Sequence, residues 1–263
     1  MHNKYLVIIT AENKEKYISD TIESCLNQKF TKSLRIIVVY SRLANEISLK
    51  RRFRNDKNIV FLNCLIKKKL PIQDQLFKIE KASAYIQNEW VLLLDGDDLF
   101  KPNKIVNLNK LNLNKDKLYL NDHMIINKNL LIRKPERKKY KQLNIYKKFF
   151  NDWPEKVNTS SIVIHGELLK EFYKTNNPYN WKFLAIDIQL VLLYHYRKKL
   201  VFVNKILTSK RENINNLDKK FSNYFRKIYW LRRYEQHNLT RKISKKLNLI
   251  DRFITIIFIK ILK

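Results

Sequence analysis

The stretches YLVIIT (5–10), LRIIVVY (34–40) and EWVLLL (89–94) carry almost no polar residues, and they constrain the fold more than any other feature of this chain. A strand with one wet face alternates apolar and polar residues, whereas an unbroken apolar run of this length buries both faces. The sequence between these runs has helical spacing instead. In NKEKYISDTIESCLNQ, residues Tyr17, Ile18, Ile22, Cys25 and Leu26 share one side of a helix, with Asn13 placed to cap its start. Residues 74–86 repeat the pattern, and 59–62 adds a shorter strand. Strands alternating with helices predict an α/β fold, a doubly wound, mostly parallel sheet with helices on both faces. Ligands of such sheets lie beyond the carboxyl ends of the strands.

Beyond Pro102 the expected elements are a helix over 104–117, a hairpin formed by KLYLNDHMIIN and LLIRK, and a basic, exposed excursion over 133–150. A strand at 160–164, helices at 166–173 and 184–196, and a strand at 200–203 follow. From about residue 210 the composition turns basic and aromatic. Phe221, Tyr224, Phe225, Ile228 and Leu231 keep i, i+3, i+4, i+7 spacing, as do Ile250, Phe253, Ile254, Ile257, Phe258 and Ile261. The chain thus divides into a domain over 1–209 and a basic amphipathic helical tail over 210–263.

Glycine gives the sharpest exclusion. Gly96 and Gly166 are the only two among 263 residues, so neither a dinucleotide-binding G-x-G-x-x-G, nor a P-loop, nor a G-x-S-x-G nucleophile elbow can be written. No H-E-x-x-H pair is present. Cys25 and Cys64 lie far apart with no CxxC, the usage of a reducing compartment. The formal charge of +30 suggests an anionic partner, but no nucleic-acid-binding motif accompanies it, so nucleic acid is not expected.

The third apolar run ends in WVLLLDGDDLF. On an extended chain Asp95 and Asp97 project to the same side, with Gly96 between them leaving room for a ligand against the backbone. Two carboxylates so close repel each other unless a cation lies between them. Mg²⁺ fits, because it takes one or two protein carboxylates and completes its shell with water and substrate phosphates; Mn²⁺ is the alternative. An EF-hand loop is excluded, since Leu99 and Phe100 stand where it needs an oxygen ligand and a glycine. The pattern points to a metal-chelated diphosphate.

Residues 4–212 resemble the inverting family-two glycosyltransferases, which have the GT-A fold. YLVIITAEN is similar to that family's first strand and its P-x-Y-N ending, TIESCLNQ to its S-x-x-x-Q helix, and EWVLLLDGDDLFKP to its D-x-D-D strand. The resemblance implies a nucleotide-diphosphate sugar as donor, held near Thr10, Ala11, Glu12, Asn13, Tyr40, Asp95 and Gly96, with Asp95 and Asp97 on a divalent metal. It implies Asp187 of WKFLAIDIQLVLLY as the catalytic base, with Trp181 and Ile186 on the acceptor side. It also implies that Lys210 and Arg211 of LVFVNKILTSKREN close over the diphosphate. Tyr40 and Ser41 stand where the family has an acidic pair that reads the nucleotide, Thr10 and Glu12 replace its proline and aromatic, and Ile186 replaces the first acid before Asp187.

The expected activity is metal-dependent inverting transfer of a sugar to a glycan or lipid-linked hydroxyl; a catalytically impaired binding or scaffolding protein of the same fold is the alternative. The run after Lys4 is too short for a secretory h-region, and no apolar run is long enough to cross a bilayer, so the expected location is the cytoplasm. The tail suits peripheral association with an anionic membrane. Packing on the first domain, or homodimerisation through the C-terminal helices, are the competing roles for it.

Overall fold

The structure is a computed structural model that describes residues 3–29, 34–64, 70–126, 132–133, 153–154, 157–212, 221, 223–245 and 248–262. The three apolar runs become β1 (Tyr5–Ala11), β2 (Leu34–Tyr40) and β4 (Trp90–Asp95), and β3 is Ile59–Asn63. Between them lie α1 (Ile18–Leu26), α2 (Glu46–Arg52) and α3 (Pro71–Ser83). Then come β5 (Leu99–Phe100), α4 (Lys104–Asn109), β6 (Leu118–Ile126), β7 (Ile132–Arg133), β8 (Ile162–His165), α5 (Gly166–Asn176), α6 (Ile186–Tyr196) and β9 (Leu200–Arg211). The tail forms α7 (Lys227–Ser244) and α8 (Leu249–Ile261).

Among the described residues nine strands make one sheet, in the order β3-β2-β1-β4-β8-β6-β9-β5 with β7 beside β6. Pairing is parallel from β3 to β4, and mixed beyond, where β8 runs antiparallel to both β4 and β6. Side-chain alternation sorts the buried strands between two cores. Tyr5, Val7, Ile9, Leu92 and Leu94 pack with α1, α2 and α4 on one face. Leu6, Ile8, Val91 and Leu93 pack with α3, α5 and α6 on the other. The chain leaves β1 for β2 on one side and returns to β4 on the other, so the switch point lies between β1 and β4, where Thr10 pairs with Asp95.

Several expectations are corrected. Asn13 does not cap α1. It adopts a left-handed φ of 51°, and the helix begins only at Ile18. The helix expected over 104–117 stops at Asn109, because the Asn114 N–H donates to the Tyr119 hydroxyl (2.7 Å) and Leu111 and Leu113 reach the core from irregular backbone. The hairpin forms, with β7 antiparallel to β6. The strand expected at 200–203 continues to Arg211 as one twelve-residue strand, so Lys210 and Arg211, expected to close over the diphosphate, end β9. Residues 134–150, most of the basic excursion, lie outside the described residues. In the tail, Tyr224 and Phe225 precede α7 rather than belong to it.

Helix α7 packs against the segment containing α6. Leu239 of α7 is buried with Leu184, Ile188 and Leu192 of the segment containing α6. Cys25 and Cys64 are free and buried. Among the described residues no helix is long and apolar enough to cross a membrane.

Candidate active site

β4 ends at Asp95 and the chain turns immediately, with the Asp98 N–H donating to the Asp95 carbonyl (3.0 Å). The extended geometry expected for Asp95–Asp97 is therefore replaced by a turn. Gly96 is needed for a different reason from the one expected. A Cβ there would lie 3.0–3.2 Å from Thr10 and Ala11 of β1, so the glycine admits the neighbouring strand rather than a ligand. Its N–H donates to the Thr10 carbonyl (2.9 Å).

The three carboxylates have different surroundings. Asp98 is buried and accepts hydrogen bonds from Ser160 Oγ (2.7 Å), Asn158 Nδ2 (3.4 Å) and the Arg211 N–H (2.9 Å), which ties the turn to the end of β9. Asp95 accepts from Gln75 Nε2 (2.7 Å) and, at 3.5 Å, from Thr10 Oγ1, while its N–H donates to Ser160 Oγ (3.0 Å). Asp97 forms an ion pair with Lys14. Behind the turn, the buried Lys104 donates to the Ser160 carbonyl (2.9 Å) and to Thr208 Oγ1 (3.1 Å), which sets the residue that orients both Asp95 and Asp98. Burial brings the Lys104 amine down to about 7.

Asp187 comes to this place from another element. It lies in the first turn of α6, where its carboxylate accepts from the Ile188 N–H (2.7 Å) and the helix dipole favours its charge. It is close enough to act on Asp95. Burial, then the charges of Asp98, Asp97 and Asp187, push the Asp95 carboxyl well above the usual carboxylate range, and Lys14 pulls the other way. Burial and Asp97 likewise raise Asp98 to about 6 against its hydrogen bonds.

Of the other sequence candidates, Ala11 is buried, and its carbonyl accepts from the buried Lys78 (3.2 Å), which also pairs with Glu12 (2.9 Å) and Asp74 (2.7 Å). Arg211 pairs with Asp20 (2.9 Å) and lies 4.6 Å above the Tyr17 ring; Lys210 precedes it, and its charge acts on Asp98. Two candidates point inward. Tyr40 is fully buried and donates to Glu46 (2.6 Å), and Ile186 is enclosed in the core against α3 and α5. Trp181 is partly buried beside Leu184 and Ile188. Lys14, Gln75, Asn158 and Ser160 were not legible beforehand. Each is a common polar residue in a turn or helix, and only chain crossing brings it to the acids.

Among the described residues no group of three or more histidines, cysteines, aspartates or glutamates is arranged to enclose a metal ion. Asp95 and Asp97 nevertheless fit the protein's share of a metal–diphosphate centre, which needs only one or two carboxylates. The mutual repulsion registered at Asp95 is what a cation would relieve.

No protein-family model and no curated protein sequence matches the chain. Solved structures do. TarS 1–349 of S. aureus in complex with UDP-GlcNAc aligns with a TM-score of 0.64 at 15% identity, over 97% of this chain and 70% of that one. A longer TarS structure aligns at 0.63 and 16% identity, over 95% of this chain and 41% of that one. The mannosyltransferase PcManGT of Pyrobaculum calidifontis, in complex with GDP-Man and Mn²⁺, aligns at 0.62 and 10% identity, over 98% and 70%. The chain has the GT-A fold of these nucleotide-sugar glycosyltransferases.

Proposed function

We propose that this protein transfers a sugar from a nucleoside-diphosphate donor to a hydroxyl of a glycan or lipid-linked acceptor, with inversion at the anomeric carbon. The observation that carries the reading is Asp187, a carboxylate from α6 brought within electrostatic reach of the β4 acids. A carboxylate in that position accepts the acceptor hydroxyl's proton as the oxygen attacks the anomeric carbon from the face opposite the diphosphate. The Ile188 N–H holds one of its oxygens in the first turn of α6, where the helix N-terminus favours negative charge.

Asp95 and Asp97 would hold a divalent ion, Mn²⁺ or Mg²⁺, whose contribution is to stabilise negative charge on the departing diphosphate. The chain's own cations serve the same end. Arg211 and Lys210 at the end of β9, and Lys14 beside Asp97, supply positive charge where the leaving group develops its own. The Ser160 hydroxyl and Gln75 hold Asp95, so these groups need not reorganise during the reaction. Thr10, Glu12 and Asn13 border the same strand end and are assigned to the donor's nucleoside side; with Tyr40 turned inward, contact there falls to backbone. The reaction is assigned to the cytoplasm.

The test is a donor screen followed by one substitution. UDP- and GDP-sugars are scored for thermal stabilisation in the presence of Mn²⁺, and transfer is then followed with the best donor. Asp187→Asn should lower kcat by roughly 10²- to 10⁴-fold while stabilisation by the donor persists. Full transfer by that variant would remove the proposed base, and a product with retained configuration would remove the proposed stereochemistry.

A further inference from the structure

Helix α8 is built inside out. Its inward face carries Asp251 and Thr255, both fully buried. Arg233 of α7 grips the Asp251 carboxylate with Nε (2.8 Å) and an η nitrogen (2.6 Å), and His237 approaches at 3.5 Å. The outward face is apolar: Leu249, Phe253 and Ile261 are 71%, 64% and 67% exposed, and Ile250 is also exposed. A soluble helix ordinarily does the reverse. Leu249, Ile250, Phe253 and Ile256, with Arg252, line a shallow open groove on this surface.

We propose that this face is a docking surface for an anionic lipid bilayer. Charge selects that occupant. Residues 210–263 hold fifteen lysines and arginines against four acids, so a second copy would bring an equally basic tail against the first, whereas an anionic surface complements it. Lys260 is exposed on the same helical side as Leu249 and Phe253. Arg252, at the groove, lays its guanidinium over the Tyr234 ring of α7 and so stays beside the apolar face. The aliphatic side chains of the face need a hydrocarbon cover, which nucleic acid does not offer. The inward Asp251–Arg233 pair fixes the roll of the helix, so the apolar side stays outward.

This inference does not rest on the glycosyl-transfer reading, because membrane binding is measured without donor or acceptor. The full chain is sedimented with vesicles of phosphatidylcholine alone and of phosphatidylcholine with 30% phosphatidylglycerol, a composition of roughly one anionic lipid in three as in many charged membranes. Binding is expected on the anionic vesicles and should weaken steeply as salt is raised. Leu249→Glu and Phe253→Glu should each reduce the partition coefficient roughly tenfold or more, with the melting temperature and helical circular dichroism unchanged. Lys260→Gln, at an exposed position on the same side, is the milder second variant and should weaken binding with the fold intact. Equal binding by wild type and the folded glutamate variants would overturn the proposal. So would no vesicle binding together with dimerisation that Phe253→Glu abolishes, since a second copy would then cover the face.

Discussion

Two of the molecule's clusters of buried acid differ in how their charge is met. Between α7 and α8, fully buried Asp251 is matched by the forked guanidinium of Arg233. At the end of β4, burial and then the charges of Asp98, Asp97 and Asp187 push the Asp95 carboxyl upward, with Lys14 opposing them. The first site is balanced, and it joins two helices. The second gathers four carboxylates, with Lys14 beside Asp97, at a strand end beside the switch point of the sheet. The paired acid holds structure together; the clustered acids are where the proposed cation would sit.

The largest expected effect is at the balanced site. Asp251→Ala leaves Arg233 beside a hole and should lower stability by about 3–5 kcal/mol, a fall in Tm of roughly 10 °C for a chain of this size, read by thermal and urea unfolding. Ser160→Ala comes next, since the hydroxyl donates to Asp98 and accepts from the Asp95 N–H; it should cost about 1–3 kcal/mol and also weaken donor-dependent stabilisation. Asp97→Asn sharpens the contrast most: loss of the partly exposed Lys14 pair and easing of the repulsion among the acids oppose each other, so stability should change by less than about 1 kcal/mol while Mn²⁺-dependent donor stabilisation disappears. If Asp97→Asn unfolded the protein as readily as Asp251→Ala, the distinction between the two sites would collapse. The smallest effect belongs to an exposed pair. Arg52→Ala removes its contact with Glu23 on the surface and should shift stability by about 0–1 kcal/mol.

The regular half of the fold was legible residue by residue. β2 occupies the expected span, β1 runs one residue longer and β4 is shifted by one residue, because a strand buried on both faces leaves its mark in an unbroken apolar run. The later elements were less legible where tertiary contacts decide. The stop at Asn109 depends on Tyr119, ten residues away, and the continuity of β9 depends on its pairing with β6. For the site, the β4 acids announce themselves as a cluster in sequence. Their supporting residues do not, since Gln75 and Ser160 reach Asp95 across twenty and sixty-five residues.

The sequence alone determined the alternation of strand and helix, the exclusion of glycine-rich phosphate loops, the acids at the carboxyl end of β4 and the basic, apolar character of the tail. All of these are properties of composition and short-range periodicity, which do not depend on what the chain later touches. Only the tertiary structure decided that Gly96 makes room for β1, that Asp98 is held by Ser160 while Asp97 meets Lys14, that Tyr40 and Ile186 face the core, and that α8 turns its apolar side outward. Periodicity reveals that a helix has an apolar face but not which way it rolls; here the roll follows from one buried pair, Asp251 with Arg233, eighteen residues apart.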